Sequence, residues 1–219
     1  MALLYYHPPL DPYLDIIYRD DHLLVMNKPS GLLSVPGKAE DQKDSLQLRC
    51  QRVWPTATIV HRLDMATSGL MVLPLNREAQ RHLARQFQER QTQKRYLTRI
   101  YGQPRASHGS IELPLICDWP NRPKQMVDFN RGKPSLTHWR VLEKRENDTL
   151  MELTPVTGRS HQLRVHMQHL GHPILGDRLY AHPEALSMAE RLQLHAFQLG
   201  FTHPESGQWC QFEAPCEFV

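Results

Sequence analysis

Residues 16–28, IIYRDDHLLVMNK, carry apolar runs on either side of Asp20-Asp21, a pattern that predicts strand, tight turn and strand. A loop punctuated by proline and glycine, KPSGLLSVPG, follows. Residues 43–51 suit a short helix, and ATIVHRLD reads as a strand that delivers Asp64 to its end or to the loop beyond, with Thr67-Ser68-Gly69 as a tight turn. The run GLMVLPL predicts the next strand. Asn76 is a good N-cap for a helix to about Arg90, with Ala79, Leu83 and Phe87 on one face. Arg77, Arg81 and Arg85 form a basic row on another part of that helix, read first as a solvated face and second as a phosphate contact.

KRYLTRIYG, SIELPLI and LTHWRVLEK alternate as strands, and Tyr96 lies in the first of them. Residues 117–134, CDWPNRPKQMVDFNRGKP, read as a long irregular segment that gathers Trp119, Arg122, Lys124, Phe129, Arg131 and Lys133. Basic and aromatic side chains together suit phosphate contact and base stacking, and a mobile surface loop is the plainer alternative. TLMELTPVTG predicts a strand ending at Gly158, and SHQLRVHMQHLG a helix with Ser160 as N-cap, Leu163, Met167 and Leu170 at helical spacing, and Gly171 closing it. A hairpin across HPESG ends the pattern. Many strands, few helices and no regular βαβ alternation predict an α+β fold on a mixed, mostly antiparallel sheet with flanking helices and loops. No repeat or compositional break marks a linker, so one domain over 1–219 is expected.

Composition narrows the class. The chain has 219 residues, 40% hydrophobic and 22% charged, ordinary for an enzyme-sized globular protein. Its 26 basic residues exceed the 23 acidic ones by only +3, but most are arginine, which suits bidentate phosphate contacts. Cys50, Cys117, Cys210 and Cys216 form no C-x-x-C pair, which fits free thiols in a reducing cytoplasm. The opening MALLYYHPPLDPYLDII has no basic region ahead of an apolar one, and no apolar run is long enough to span a bilayer, so neither export nor a membrane span is expected.

Cofactor chemistry finds no support in the motifs. Neither G-x-G-x-x-G nor G-x-x-x-x-G-K-[ST] is present, nor a G-x-S-x-G elbow. His161, His166, His169 and His172 crowd together, but His161 falls on a different helical face from His166 and no glutamate or cysteine joins them, so they read as hydrogen-bonding or RNA-facing groups and no metal is expected. Attention falls on Asp64, whose plain alternative is a turn residue.

HRLDMATSGLMVL resembles the H-R-L-D-x-x-T-S-G signature of the RluA-type pseudouridine synthases, and other blocks agree in order: NKPSGLLSVPG, KRYLTRIYG, TGRSHQLRVHMQHLGHPILGD and RLQLHAFQLGFTHP. GKPSLTHWRVLE is similar to a further block, with Ser135 where alanine is more usual. Together they cover the chain from about Ile16 to Pro204. The resemblance implies the pseudouridine synthase fold with a central RNA-binding cleft, no cofactor and no metal. Within the family the chain resembles the small dual-specificity type, which acts on large-subunit ribosomal RNA and on the transfer-RNA anticodon loop. The resemblance further implies a lone catalytic domain without a separate N-terminal RNA-binding domain, working as a cytoplasmic monomer.

Converting uridine to pseudouridine breaks the N1–C1′ bond, turns the base and joins C5 to C1′. By resemblance Asp64 is the carboxylate at the sugar, and attack on C1′ and removal of the C2′ proton both stay open. Arg164 stands where the family pairs a basic residue with that aspartate, and Tyr96 where it has an active-site tyrosine that stacks on the uracil. The target base has to leave its stack, and Arg62 is placed to fill the vacated space or to anchor a phosphate, with His61 beside it. His61 reads equally well as a local hydrogen-bonding residue. Arg122, Lys124, Arg131 and Lys133 are expected to dock RNA. The rival class is a non-catalytic RNA-binding protein of the same fold, against which the set Asp64, Tyr96 and Arg164 argues; a metal-dependent hydrolase of RNA stands third.

Overall fold

The computed structural model describes residues 6–219; the first five residues, part of the stretch read for a leader, lie outside the described residues. In chain order the elements are β1 (Ile16–Arg19), β2 (Leu23–Lys28), α1 (Leu46–Gln51), β3 (Ser68–Pro74), α2 (Arg77–Gln88), β4 (Gln93–Tyr101), β5 (His108–Glu112), β6 (Leu115–Cys117) and β7 (Gln125–Val127). There follow β8 (Leu136–Lys144), β9 (Asp148–Pro155), α3 (Gln162–His169), α4 (Pro183–Ser187), β10 (Leu194–Thr202) and β11 (Trp209–Glu213). Strands dominate, and the pairs β1–β2, β2–β3, β4–β9, β5–β8, β6–β7, β8–β9 and β10–β11 are all antiparallel, so the α+β class expected from the pattern stands. The described residues divide into two compact units, the first built from 6–94 and 196–216, the second from 95–195 and 217–219.

In the first unit the strands run β1-β2-β3-β10, with β11 on β10. Asp20 closes the predicted hairpin: its carboxylate accepts from the main-chain N–H of His22 and of Leu23, at 2.7 and 2.9 Å. Leu23, Val25, Leu70, Val72, Leu199 and Phe201 line one face of this sheet and Leu83 of α2 packs among them. Leu24, Met26, Met71 and Leu73, of opposite phase, are buried too, which is why GLMVLPL reads as an unbroken apolar run. Asn76 caps α2 as expected, its side chain accepting from Ala79 N at 2.9 Å. Ser45 does the same for α1. Arg77, Arg81 and Arg85 are all exposed.

Residues 57–64 form no strand. Side chains hold this stretch in place of a ladder: His61 Nε2 accepts from Val72 N at 3.0 Å, and Leu63 N donates to Ser34 Oγ at 3.1 Å. The tight turn also moves. Thr67 N donates to Asp64 O at 3.1 Å, so the turn spans Asp64–Thr67, and Ser68 and Gly69 already belong to β3.

In the second unit the order is β4-β9-β8-β5, with β6 and β7 as a separate pair. SIELPLI is therefore two strands, broken at Leu113-Pro114. The segment 117–134 is mostly turns and loop, as expected, but it also holds a strand that was not: β7 pairs with β6, with Cys117 opposite Gln125, so the segment is built around a short hairpin. Its return turn is tied by Asp128, which accepts from Asn130 N and Arg131 N at 2.9 Å each. Ser160 does not cap α3. The N-cap is His161, in the left-handed region at φ 52°. At the other end Gly171 N donates to Gln168 O and His172 N to Met167 O, both at 3.0 Å, with Gly171 at φ +87°, the paired closure that favours glycine.

Candidate active site

The residues singled out by sequence fall in both units. His61, Arg62 and Asp64 belong to the first; Tyr96, Arg122, Lys124, Arg131, Lys133 and Arg164 belong to the second.

In the first unit the Asp64 turn is clamped from behind by the KPSG loop. Lys28 Nζ donates to Met65 O at 3.1 Å, Gly31 N donates to the same oxygen at 2.8 Å, and Ser30 Oγ donates to Ala66 O at 2.7 Å. Lys28 is fully buried and also donates to Pro29 O at 2.9 Å and Leu32 O at 2.7 Å. Burial pushes its pKa down to about 7, opposed by the negative charge of Asp64 nearby. Sequence reading missed this role. The signal was there: Leu24, Met26 and Lys28 share one phase of β2, which aims the lysine inward with two core residues.

His61 is a brace. Its ring stacks on Phe87 with centroids 4.3 Å apart, and burial, with the Lys94 ammonium adding to it, pushes its pKa down to about 3. The ring is therefore neutral, as the bond accepted from Val72 N requires. With His61 and Leu63 held on either side, the side chain of Arg62 is exposed and that of Asp64 half-buried.

In the second unit Tyr96 is half-buried on β4, opposite Leu153 of β9. Arg164 is 4% exposed, within the first turn of α3, and meets Asp177 through two parallel bonds, Nε to Oδ2 at 2.8 Å and Nη2 to Oδ1 at 2.6 Å. Asp177 Oδ1 also accepts from Leu179 N and Tyr180 N, at 2.9 and 3.3 Å, so the carboxylate is fixed before it meets the guanidinium. The fork occupies one edge of a group that has five N–H donors. Asp177 and Tyr180 were not identified from sequence; an aspartate in a Gly-Asp turn is too common to mark them.

On the hairpin, Arg122 stacks over Trp119 at 4.5 Å, and Trp119 and Phe129 are 65% and 76% exposed. Arg122 and Lys133 are exposed and Lys124 half-buried. Arg131 is engaged by Asp128, Nη2 to Oδ2 at 3.2 Å. Hydrogen bonding accounts for most of the histidine cluster: His166 lies between Ser135 and Thr137 at 2.9 Å from each hydroxyl, His161 meets the Tyr180 hydroxyl at 2.7 Å, and His172 meets Tyr101 O at 2.8 Å. Burial pushes the His166 pKa down to about 4. Among the described residues no helix is long and apolar enough to cross a membrane.

Comparison with known proteins places this geometry. The family model of RNA pseudouridylate synthases matches residues 22–169. The chain is 56% identical over 219 residues to the dual-specificity RNA pseudouridine synthase RluA of Escherichia coli (strain K12), with all of both chains covered. It is 53% identical to the protein of that name from Vibrio parahaemolyticus, covering 100% of this chain and 89% of the other. Among solved structures, the human RNA pseudouridylate synthase domain containing 1 matches with a TM-score of 0.78 at 31% identity, covering 94% of this chain and 84% of that one. A match of this extent, over a fold that carries the HRLD turn and its clamp, means that the chain belongs to the RNA pseudouridylate synthase family.

Proposed function

We propose that the protein isomerises uridine to pseudouridine in two RNAs, large-subunit ribosomal RNA and the anticodon loop of transfer RNA, as the dual-specificity name of its full-length relatives suggests. The reaction balances without a cofactor: the N1–C1′ bond breaks, the C5–C1′ bond forms, C5 gives up a proton and N1 gains one. Asp64 supplies the carboxylate at the sugar, Arg164 a cation that orients it, and Tyr96 a ring for the uracil. Arg62 takes the place of the flipped base or holds a phosphate beside it, with His61 keeping the segment in shape. Arg122, Lys124, Arg131 and Lys133 dock the RNA. A single domain acting alone in the cytoplasm completes the reading.

The observation that carries it is the clamp on the Asp64 turn, in which Lys28, Ser30 and Gly31 take the carbonyls of Met65 and Ala66. A turn residue needed only for chain reversal would not call for a fully buried lysine, because desolvating its amine costs about 1–3 kcal/mol when neutral and several kcal/mol when charged. Rigid support for one half-buried carboxylate suits a group that must meet a ribose carbon in one geometry.

The test is release of tritium from RNA labelled at C5 of uridine, with EDTA present. The intact protein should release it from both ribosomal and transfer RNA, and Asp64→Asn should release none. Release by Asp64→Asn at the intact rate would remove the carboxylate from the mechanism, and release from one RNA alone would remove the dual specificity.

A further inference from the structure

The Tyr180 hydroxyl is a joint between the hairpin and the helix that carries Arg164. It accepts from Gln125 N, the first residue of β7, at 2.8 Å, and it meets His161 Nδ1 at 2.7 Å. His161 is the left-handed N-cap of α3, at φ 52°, a conformation that costs a residue with a Cβ about 1 kcal/mol and persists only where its surroundings hold it. The Tyr180 ring lies under the Arg164 guanidinium at 5.1 Å, and its own N–H goes to the Asp177 carboxylate that grips Arg164. Tyr180 packs with Leu115 of β6 and Val165 of α3, and Val127 of β7 closes over them. One buried residue therefore touches the hairpin main chain, the start of α3 and the guanidinium through its side chain, and through its main-chain N–H the carboxylate that orients that guanidinium.

We infer that Tyr180 is a positioning residue for the isomerisation: RNA seated on the β6–β7 hairpin sets the Arg164 guanidinium through the Tyr180 hydroxyl. The inference rests on the reading that Arg164 serves the reaction and that the hairpin meets RNA. The hairpin carries Trp119, Arg122 and Lys124 on the stretch leading into Gln125, so a pull on those side chains reaches the Gln125 N–H directly. A rigid hydrogen bond passes that displacement to His161 and the first turn of α3, where Arg164 sits.

Tyr180→Phe keeps the ring and its face toward Arg164 and deletes only the hydroxyl. Tritium release would be measured for the intact protein, Tyr180→Phe, the pair Arg122→Ala with Lys124→Ala, and all three together, with thermal unfolding of each. Tyr180→Phe should lower kcat roughly three- to tenfold, the scale of one lost hydrogen bond, while KM changes less than about twofold. The hairpin pair should raise KM and lower kcat alone, but in the Tyr180→Phe background it should raise KM without a further loss of kcat. Kcat effects that multiply independently, or a kcat loss that disappears once activities are compared at equal folded fraction, overturn the inference. An unchanged kcat for Tyr180→Phe while Arg164→Lys is inactive overturns the inference alone; an Arg164→Lys variant at full turnover overturns the reading beneath it as well.

Discussion

Lys28 is the residue on which the Asp64 turn depends, and it was hidden in plain view in the NKPSG block. Its Nζ lies within hydrogen-bond reach of three carbonyls, those of Pro29, Leu32 and Met65, and the side chain is fully buried. Two effects oppose each other in Lys28→Met. Removing the amine relieves a desolvated charge, but it leaves the carbonyls of Leu32 and Pro29 without that donor, while Met65 O keeps its bond from Gly31 N, and orphaned buried acceptors cost about 1–3 kcal/mol each. The second effect should win, with a net loss of about 2–4 kcal/mol in stability and a fall in kcat measured while the protein is still folded. The sign with pH follows from the lowered pKa. A folded pKa of about 7 against an ordinary 10.5 means that the unfolded chain takes up the proton first as pH falls, so the lysine's contribution is largest above about 10.5 and is lost on the way down to 7. Denaturant unfolding of both proteins should therefore give a gap that widens from pH 7 toward pH 10; a gap that narrows would mean that the ammonium, not the amine, is the stabilising form.

At the scale of elements, what the sequence shows depends on how local the signal is. The β1–β2 hairpin, the Asn76 cap of α2, the Gly171 closure of α3 and the final hairpin were all legible, because each is set by side chains within a few residues of the backbone they shape. The stretch 57–64 deceived the alternation pattern: His61 accepting from Val72 N and Ser34 Oγ accepting from Leu63 N hold it by side chains in place of a strand ladder, and such contacts leave no period in the sequence. The β6–β7 hairpin escaped because its strands, Leu115–Cys117 and Gln125–Val127, are too short for a period to register. Gly69 was read as a turn glycine and is instead a strand glycine at φ +112°, where an added Cβ would land on the main-chain oxygen and nitrogen of Ala196 in β10. Backbone cannot yield as a side-chain tip can. Gly69→Ala should therefore cost at least ~3 kcal/mol, strain and overlap together, seen as loss of soluble protein or a large drop in unfolding midpoint. A midpoint within a degree or two of the parent would mean that β3 and β10 separate easily at this point.

At the scale of the whole molecule, a net charge of only +3 provides little general attraction for a polyanion, so RNA affinity has to come from particular side chains. Many of the arginines are already compensated: Arg49 by Asp44, Arg99 by Asp148, Arg140 by Glu152, Arg145 by Glu143 and Arg131 by Asp128. Lys124 and Lys133 make no ion pair among the described residues, and Arg122 lies exposed over the Trp119 ring. The two lysines are groups whose positive charge is left for phosphate, and both lie within the segment 117–134. Each phosphate neutralised on a single-stranded loop contributes about 0.7 to the slope of log affinity against log salt. Replacing Lys124 and Lys133 with alanine together should thus flatten that slope by roughly 1.4 for a transfer-RNA stem-loop. Arg131→Ala, already balanced by Asp128, should change it least. Filter binding over a range of salt concentrations reads both. An unchanged slope in the double variant would move the phosphate contacts off this segment, and the exposed row of Arg77, Arg81 and Arg85 on α2 would be the next surface to strip of charge.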